Sequence, residues 1–514
     1  MIEDKDNLLE LPDGWIWTNF DQIAENNKHA LKAGPFGSAL KKEFYVSEGY
    51  KIYGQEQVIR GDPFYGDYYI DEERYEALKS CAVKPGDILI SLVGTIGKVL
   101  VLPSGIEPGI INPRLVKLSL EKKLINTDYI KAYLESSVVR NYLSRLSHGG
   151  TMDILNLTIL KALPITLPPL NEQHRIVAKI EALKARSARV KESLSTIPAL
   201  LDQFRQSVLA AAFRGDLTAE WRSQNSNVEP AYQIVDNIFS KRKSKATTTA
   251  QIQKLHEIYS YEEESSLLPD TWKYVTLEKL CDSFQYGTST KSIGLGKVAV
   301  LRMGNLQNGE IKWDDLVYTS DDNEIEKYKL KPGDVLFNRT NSPELVGKTS
   351  IYRGEYPAIY AGYLIKINNY IELDSEYLNY CLNTTYAKNY CWRVKTDGVS
   401  QSNINAQKLG KFEIPLCSID EQKEIVRRVK ALLHTSKIIS QQYQQTKDDI
   451  NQLDQSILSQ AFSGNLVPQD PNDEPASVLL QHIRTQREKT LTPKTKRTKK
   501  TNPVSQPTQM ELEL

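Results

Sequence analysis

The sequence predicts an α+β protein in which two globular α/β domains are joined by two long antiparallel coiled-coil helices in a pseudo-twofold arrangement. Three observations carry that expectation. Residues 165–217 slide by 249 positions onto residues 414–466 with 17 of 53 pairs identical and no gap, where ordinary composition gives roughly 3. Apolar residues inside that stretch recur alternately every four and three positions. Short strand signals ahead of each copy recur in the same order. A period this long is a domain plus a helix, not a solenoid repeat, and 514 residues suffice for several cores.

Each domain opens on the same phrase, Leu11-Pro12-Asp13-Gly14-Trp15 and Leu268-Pro269-Asp270-Thr271-Trp272. Lys84-Pro85-Gly86-Asp87-Ile88-Leu89 recurs as Lys331-Pro332-Gly333-Asp334-Val335-Leu336. Pro-Gly sets a tight turn, and the apolar residues after it read as a buried strand. Gly97-Lys98 and Gly347-Lys348 follow in turn. The offsets between these pairs differ, so loops have changed length while elements stayed. Short strands mixed with helical stretches such as 128–143 and 375–391 give the α+β reading. The expected domains are 1–170 and 267–418, with helices at 171–218 and 419–466.

The first helix carries Ile176, Ile180, Leu183, Ser187, Val190, Leu194, Ile197, Leu201, Phe204 and Val208 in its seam. The second fills the same slots with Ile425, Val429, Leu432, Ser436, Ile439, Tyr443, Thr446, Ile450, Leu453 and Ile457. That 3.5-residue period is a coiled-coil seam, and residues 172–213 span roughly 60 Å as a helix. Asp420 is the expected N-cap, with Asn171 its equivalent. Gly215 and Gly464 are the expected C-terminal stops. Pro198 should kink the first helix, and the second has no such breaker. A seam needs a partner, and the other copy, running antiparallel, is the nearest one.

Two segments read as lacking core character. Residues 219–266 are a linker with Lys241-Arg242-Lys243 and a Thr-rich patch, although Glu229-Pro230-Ala231 echoes Glu474-Pro475-Ala476. Residues 467–514 are expected to be a largely disordered tail, basic at Lys494, Lys496, Arg497, Lys499 and Lys500.

Charge nominates no partner. The net charge is +1, and residues 11–170 and 267–418 each hold 18 Lys/Arg against 18 Asp/Glu. No run of 18 apolar residues and no leader pattern occurs, which predicts a cytoplasmic protein without a membrane span. Five cysteines form no Cys-x-x-Cys pair and six histidines are scattered, so no metal or triad spacing exists. Gly347-Lys348-Thr349 has Ser342 where a phosphate-cradling loop needs glycine. Asp62-Pro63-Phe64-Tyr65 lacks the second proline of an amino-methyltransferase loop. Asp420-Glu421-Gln422-Lys423 reads as a helix start rather than a nuclease fragment, with capping as the role of its acids. The chain reads as non-catalytic, with no cofactor of its own.

What remains are polar, glycine-rich loops whose side chains suit nucleic acid. In the first domain these offer Lys41, Lys42, Gln55, Gln57, Arg60, His148 and Thr151. In the second they offer Ser289, Thr290 and Lys291, then Arg302, Asn305 and Gln307. Asn338, Arg339, Asn341 and Lys348 follow, and Ser400, Gln401 and Asn403 close the set. Arg suits guanine edges, Asn and Gln suit adenine edges, and Lys, Ser and Thr serve phosphates.

Ile165-Thr-Leu-Pro-Pro-Leu-Asn-Glu-Gln173 with Ile176-Val177 recurs as Ile414-Pro-Leu-Cys-Ser-Ile-Asp-Glu-Gln422 with Ile425-Val426. The helix ends, Gln206–Leu217 and Gln455–Leu466, match as well. In these motifs and their order the chain resembles the specificity subunits of type I restriction–modification systems, over nearly its whole length. Cys417-Ser418 departs from the proline usual in the family, and only a local backbone change is expected there. The resemblance implies two target-recognition domains, each reading one half of a split, asymmetric site in double-stranded DNA. It implies helices that set the spacer and dock two methyltransferase subunits. The residues concerned are Glu172, Gln173, Ile176, Ile180, Leu183 and Phe213, and in the second copy Glu421, Gln422, Ile425, Val429, Leu432 and Phe462. It further implies S-adenosylmethionine in those partners, and ATP and Mg²⁺ in two restriction (translocase) subunits, with none of these bound by this chain. A protein-interaction scaffold with duplicated binding domains is the alternative from another class.

Overall fold

The computed structural model describes residues 10–92, 98–137, 139, 140, 142, 157–261 and 268–490. It divides into two compact units that do not follow the expected boundaries. Unit one comprises 1–193 together with 446–514, and unit two is 194–445.

Unit one contains strands β1 (Ile16–Thr18), β2 (Leu31–Ala33), β3 (Tyr50–Tyr53), β4 (Tyr69–Ile70), β5 (Ile88–Ser91), β6 (Val99–Val101), β7 (Gly109–Ile111), β8 (Leu115–Leu118) and β9 (Ile165–Leu167). They form a sheet of order β2-β8-β5-β6, a second of order β4-β3-β7, and the pair β1-β9. Unit two contains β10 (Lys273–Thr276), β11 (Cys281–Tyr286), β12 (Val298–Leu301), β13 (Val317–Thr319), β14 (Val335–Asn338) and β15 (Thr340–Asn341). Further strands are β16 (Thr349–Ile351), β17 (Ala358–Tyr360), β18 (Leu364–Asn369), β19 (Thr396–Asp397), β20 (Ser402–Asn403) and β21 (Glu413–Leu416), besides a short hairpin of Leu306–Gln307 with Glu310–Ile311. Their orders, β11-β18-β14-β16, β13-β12-β17 and β10-β21, repeat unit one strand for strand. The small sheet β15-β20-β19 and the Leu306–Gln307/Glu310–Ile311 hairpin have no counterpart among the described residues of unit one.

The Lys-Pro-Gly-Asp phrase makes the central strand of each large sheet. Gly86 and Gly333 take positive φ, +88° and +96°, which costs glycine nothing. The next carboxylate closes the turn, Asp87 accepting from the Lys84 amide at 2.9 Å and Asp334 from the Lys331 amide at 2.8 Å. Alternation then splits the strand between two cores. Ile88 and Ile90 point into one and Leu89 into another; Val335 and Phe337 against Leu336 repeat the division. The helical stretch foreseen at 375–391 is two helices, Ser375–Leu382 and Thr385–Val394, because Thr384 caps the second through the Ala387 amide. The stretch at 128–143 is a helix over Thr127–Glu135, and part of the remainder lies outside the described residues.

The long helices are α1 (Leu170–Leu194), α2 (Ile197–Phe213) and α5 (Ile419–Phe462). The first repeat does not kink; it stops at Ser195-Thr196 and restarts with Pro198 in the first turn of α2, where its missing N–H breaks no bond. α5 is unbroken over 44 residues. Asp420 and Asn171 sit inside the first turn and are not the N-caps. Ser418 is, its Oγ accepting from the Glu421 amide at 3.2 Å, so the departure from proline at that position supplies a cap. Gly215 and Gly464 do end the helices with positive φ.

Within each unit the helices run antiparallel. In unit one Ile176 and Ile180 share a core with Ile457, Leu458, Ala461 and Phe462, and Lys191 pairs with Asp454 at 2.7 Å. In unit two Val208, Leu209, Ala212 and Phe213 share a core with Ile425, Val426 and Val429. Between those ends Ser187 and Ile450 are also buried, but the seam is not closed throughout. Val190, Phe204, Ile439 and Leu453 remain 40–55% exposed, because two helices alone cannot cover a side chain on every side.

Both segments expected to lack core character are corrected. The linker carries α3 (Ala231–Lys245) and α4 (Thr249–Tyr259). Ala231, Ile234 and Ile238, at helical spacing, are buried in the core of unit two. The tail carries α6 (Ala476–Thr490), with Ala476, Leu480 and Ile483 buried in unit one. Residues 491–514, with the basic cluster, lie outside the described residues. α3 and α6 are equivalents: the Ala231 amide donates to the Thr271 carbonyl and the Ala476 amide to the Gly14 carbonyl, both at 3.0 Å.

Candidate nucleic-acid interface

The residues that the repeat keeps identical build a frame beneath the loops. Trp15 Nε1 donates to the Glu172 carboxylate at 3.0 Å, and Trp272 Nε1 to Glu421 at 2.8 Å. Each carboxylate thereby ties the opening phrase of a domain to the start of its helix. The next residue pins a loop to the same turn. Gln173 accepts from the Asn126 amide and donates to the Leu124 and Pro168 carbonyls. Gln422 accepts from Asp374 and donates to Glu372 and Cys417 in the same way. The frames differ in one respect. Glu421 also receives Thr218 Oγ1 at 2.8 Å and pairs with Arg222, whereas Glu172 has Gln469 at 3.5 Å. Burial accordingly pushes the Glu172 pKa up, with the Trp15 bond opposing.

Three predicted DNA contacts belong to this frame. Gln57 is buried, accepting from the Gly54 amide at 2.9 Å and donating to the Tyr65 carbonyl at 2.8 Å. Asn305 is its equivalent, accepting from the Arg302 amide at 2.8 Å and donating to Lys312 and Asp314 carbonyls. Both close the turn after the middle strand of the three-stranded sheet. Asn338 is fully buried at the end of β14, accepting from the Thr340 amide. Gln57 and Asn305 fill their bonds internally, and Asn338 is buried beneath the rim although its Nδ2 finds no partner among the described residues.

The other candidates lie nearer solvent. Lys41 and Lys42 are exposed, with Glu43 3.4 Å from the Lys41 ammonium. Arg60 lies over the Tyr65 ring at 4.0 Å. Ser289, Thr290, Lys291, Ser400 and Gln401 are exposed. Arg302 is held by Asp315 at 3.0 Å. Lys348 donates to Gln307 at 3.0 Å, and burial lowers its pKa. Asn341 accepts from the Ser342 amide at 2.9 Å. Arg339 and Asn403 come together, guanidinium to amide oxygen at 3.4 Å, with Arg339 4.7 Å from the Tyr286 ring centre. Gln55 meets Arg114, a cation that the sequence reading missed, also at 3.4 Å. Arg114 carries no local sequence signal; only strand pairing brings it to that loop. His148 and Thr151 lie outside the described residues. Among the described residues no group of His, Cys, Asp and Glu is placed to hold a metal.

The type I restriction modification DNA specificity domain family matches residues 36–198 and 269–447. The chain belongs to this family. It is similar to the specificity subunit of the type I restriction enzyme EcoKI of Escherichia coli (strain K12), at 27% identity across 71% of this chain and 73% of the relative. It is similar to the EcoBI specificity subunit of Escherichia coli at 25% identity across 95% of each. Two solved structures share the fold. One is the HsdS subunit from Thermoanaerobacter tengcongensis, with a TM-score of 0.51 at 17% identity, covering 90% of this chain and all of that one. The other comes from work on complex assembly and conformational transition of the type I R-M system, with a TM-score of 0.62 at 17% identity, covering 89% of this chain and all of that one.

For a specificity subunit, the residues assigned to docking are unexpectedly internal. Glu172, Gln173, Glu421 and Gln422 are at most 1% exposed. Ile176, Ile180, Phe213, Ile425, Val429 and Phe462 are buried in the cores, and Leu183 and Leu432 are half-buried against them. Phe462 packs edge-on to Tyr129 and Tyr133, and Phe213 to Tyr377. These internal contacts account for the burial of the set, and only Leu183 and Leu432 keep appreciable exposed surface. No described helix is long and apolar enough to cross a membrane.

Proposed function

We propose that each unit reads one half of a split, asymmetric site in double-stranded DNA, and that the long helices set the spacer and present outward faces to two methyltransferase subunits. The observation that carries this reading is the contrast between frame and rim. Strand order, the Trp–Glu tie and the Gln pins recur in both units, whereas the loop side chains above them do not. One scaffold bearing two chemistries suits two different half-sites, as a palindrome reader would not need.

In this reading the chain is a non-catalytic, cytoplasmic subunit that binds no cofactor. S-adenosylmethionine resides in the methyltransferase partners, and ATP and Mg²⁺ in two restriction subunits. Balanced charge in each unit fits DNA held jointly with those partners, since most affinity for a duplex comes from neutralised phosphates. The test is mapping of methylated adenines in DNA exposed to the chain plus its methyltransferase partner. A gapped two-part motif is expected; a continuous or palindromic motif would contradict the reading. Tight, specific gel-shift binding by the lone chain would contradict the joint-holding part of it.

A further inference from the structure

We propose that a single cross-strand rung in each unit carries its base-reading arginine, Arg114 in unit one and Arg339 in unit two. The inference rests on the two-unit reading above and deepens it to named positions.

Strand register defines the rung. β5 pairs with β8 from Ile88↔Leu118 to Ser91↔Leu115, so the next pair outward is Leu92 and Arg114. β14 pairs with β18 from Val335↔Ile367 to Asn338↔Leu364, so the next pair is Arg339 and Tyr363. The hydrogen bonds agree: the Leu92 amide donates to the Arg114 carbonyl, and the Arg339 amide to the Tyr363 carbonyl, both at 3.0 Å. The same rung thus holds one arginine in both units, on the return strand in one and on the central strand in the other.

The chemistry around each arginine is also alike. The Arg114 guanidinium touches the Gln55 amide oxygen at 3.4 Å, and that of Arg339 touches the Asn403 amide oxygen at 3.4 Å. Neither meets a carboxylate among the described residues, whereas Arg175, Arg222, Arg302 and Arg353 each do. A guanidinium has five donors in a planar fork. One long bond to an amide aims that fork and leaves donors for an acceptor from outside. The matching acceptor is the O6/N7 edge of guanine, which takes arginine bidentately. Arg339 is further steadied by the Tyr286 ring, and the exposed Tyr363 shares its rung. At Arg339 the amide and the ring together fix the plane of the fork, the preorganisation that planar, bidentate recognition uses.

Selection from a randomised duplex pool, with the chain assembled with its methyltransferase partner, tests this. The unaltered chain is expected to enrich a gapped motif. R339A should lose preference at one position of one half only, discrimination there falling roughly 5- to 150-fold, the value of one good bidentate contact. R114A should do the same in the other half. R339K keeps the charge but not the fork, so it should lose the preference too; it also decides the matter if melting shows R339A to be misfolded. An unchanged motif, or uniform weakening with a shallower salt dependence, would overturn the inference while leaving the two-unit reading intact. Absence of a gapped motif with the unaltered chain would overturn both.

Discussion

Gln57 and Asn305 have the composition of DNA contacts and the environment of structural keys. Q57A would strand the Gly54 amide and the Tyr65 carbonyl, so it should destabilise unit one by about 1–3 kcal/mol in urea unfolding, without altering which bases are preferred once folded. The glutamates of the frame separate in the same way. Glu421 is fully buried with its partner Arg222 mostly so; E421Q leaves that cation unpaired and should cost about 3 kcal/mol by calorimetry. Among the described residues Glu172 forms no ion pair, Arg175 acting on it only at longer range. Its raised pKa means the folded state holds the carboxyl proton more tightly than the unfolded chain. Its contribution is therefore fullest below the ordinary glutamate range and is lost as pH rises through the raised value. E172Q keeps an acceptor for Trp15, so it should change stability by less than about 1 kcal/mol at pH 7 and flatten that pH dependence. The sequence shows that these residues repeat, but not why. An identical Glu at a helix start looks like a cap, and only the fold reveals the Trp 157 positions away.

At the scale of elements, periodicity identified every long helix and the Pro-Gly-Asp turns identified the central strands. Boundaries and partners were less legible. The echo of Glu229-Pro230-Ala231 in Glu474-Pro475-Ala476 is the start of α3 and α6: proline precedes the helix, and the alanine is buried with its amide bonded to the opening phrase. Surrounding polar residues concealed this, because a one-sided helix buries only a residue or two per turn. α6 is held partly by Asp473, which accepts from Arg175 at 2.7 Å and Asn171 at 3.1 Å. The bond from Arg175 lowers the Asp473 pKa. That stability is present above the ordinary aspartate range and is lost as pH falls through the lowered value. D473N should lower the melting temperature at pH 7, with the gap from the unaltered chain closing toward strong acid. Truncation after Pro475 removes Ala476, Leu480 and Ile483 from the core of unit one. It should cost several kcal/mol, at roughly 1.5–3 kcal/mol per large buried side chain, and raise binding of an apolar dye.

For the molecule as a whole, duplication was legible and its partition was not. The 249-residue shift suggests a front half and a back half, yet unit two is one continuous stretch and unit one is assembled from both flanks of it. Replacing residues 267–418 with the corresponding domain of another family member should therefore change one half of the methylated motif only. A change in both halves, read by methylome mapping, would mean the units are not independent readers. Within each unit the repeated residues are spent on internal ties, so divergence was free to accumulate only where the rim meets solvent.

The partition also sets an order of maturation. As the chain leaves the ribosome, unit two has every strand and helix it needs once residue 445 has emerged, and domains generally fold as they appear. Unit one begins synthesis first but waits for Phe462 and α6 to seal its core. The earliest-made reader is thus the last to become competent, and a polypeptide cut short near its end would carry one finished reader beside one left open to chaperones and proteases.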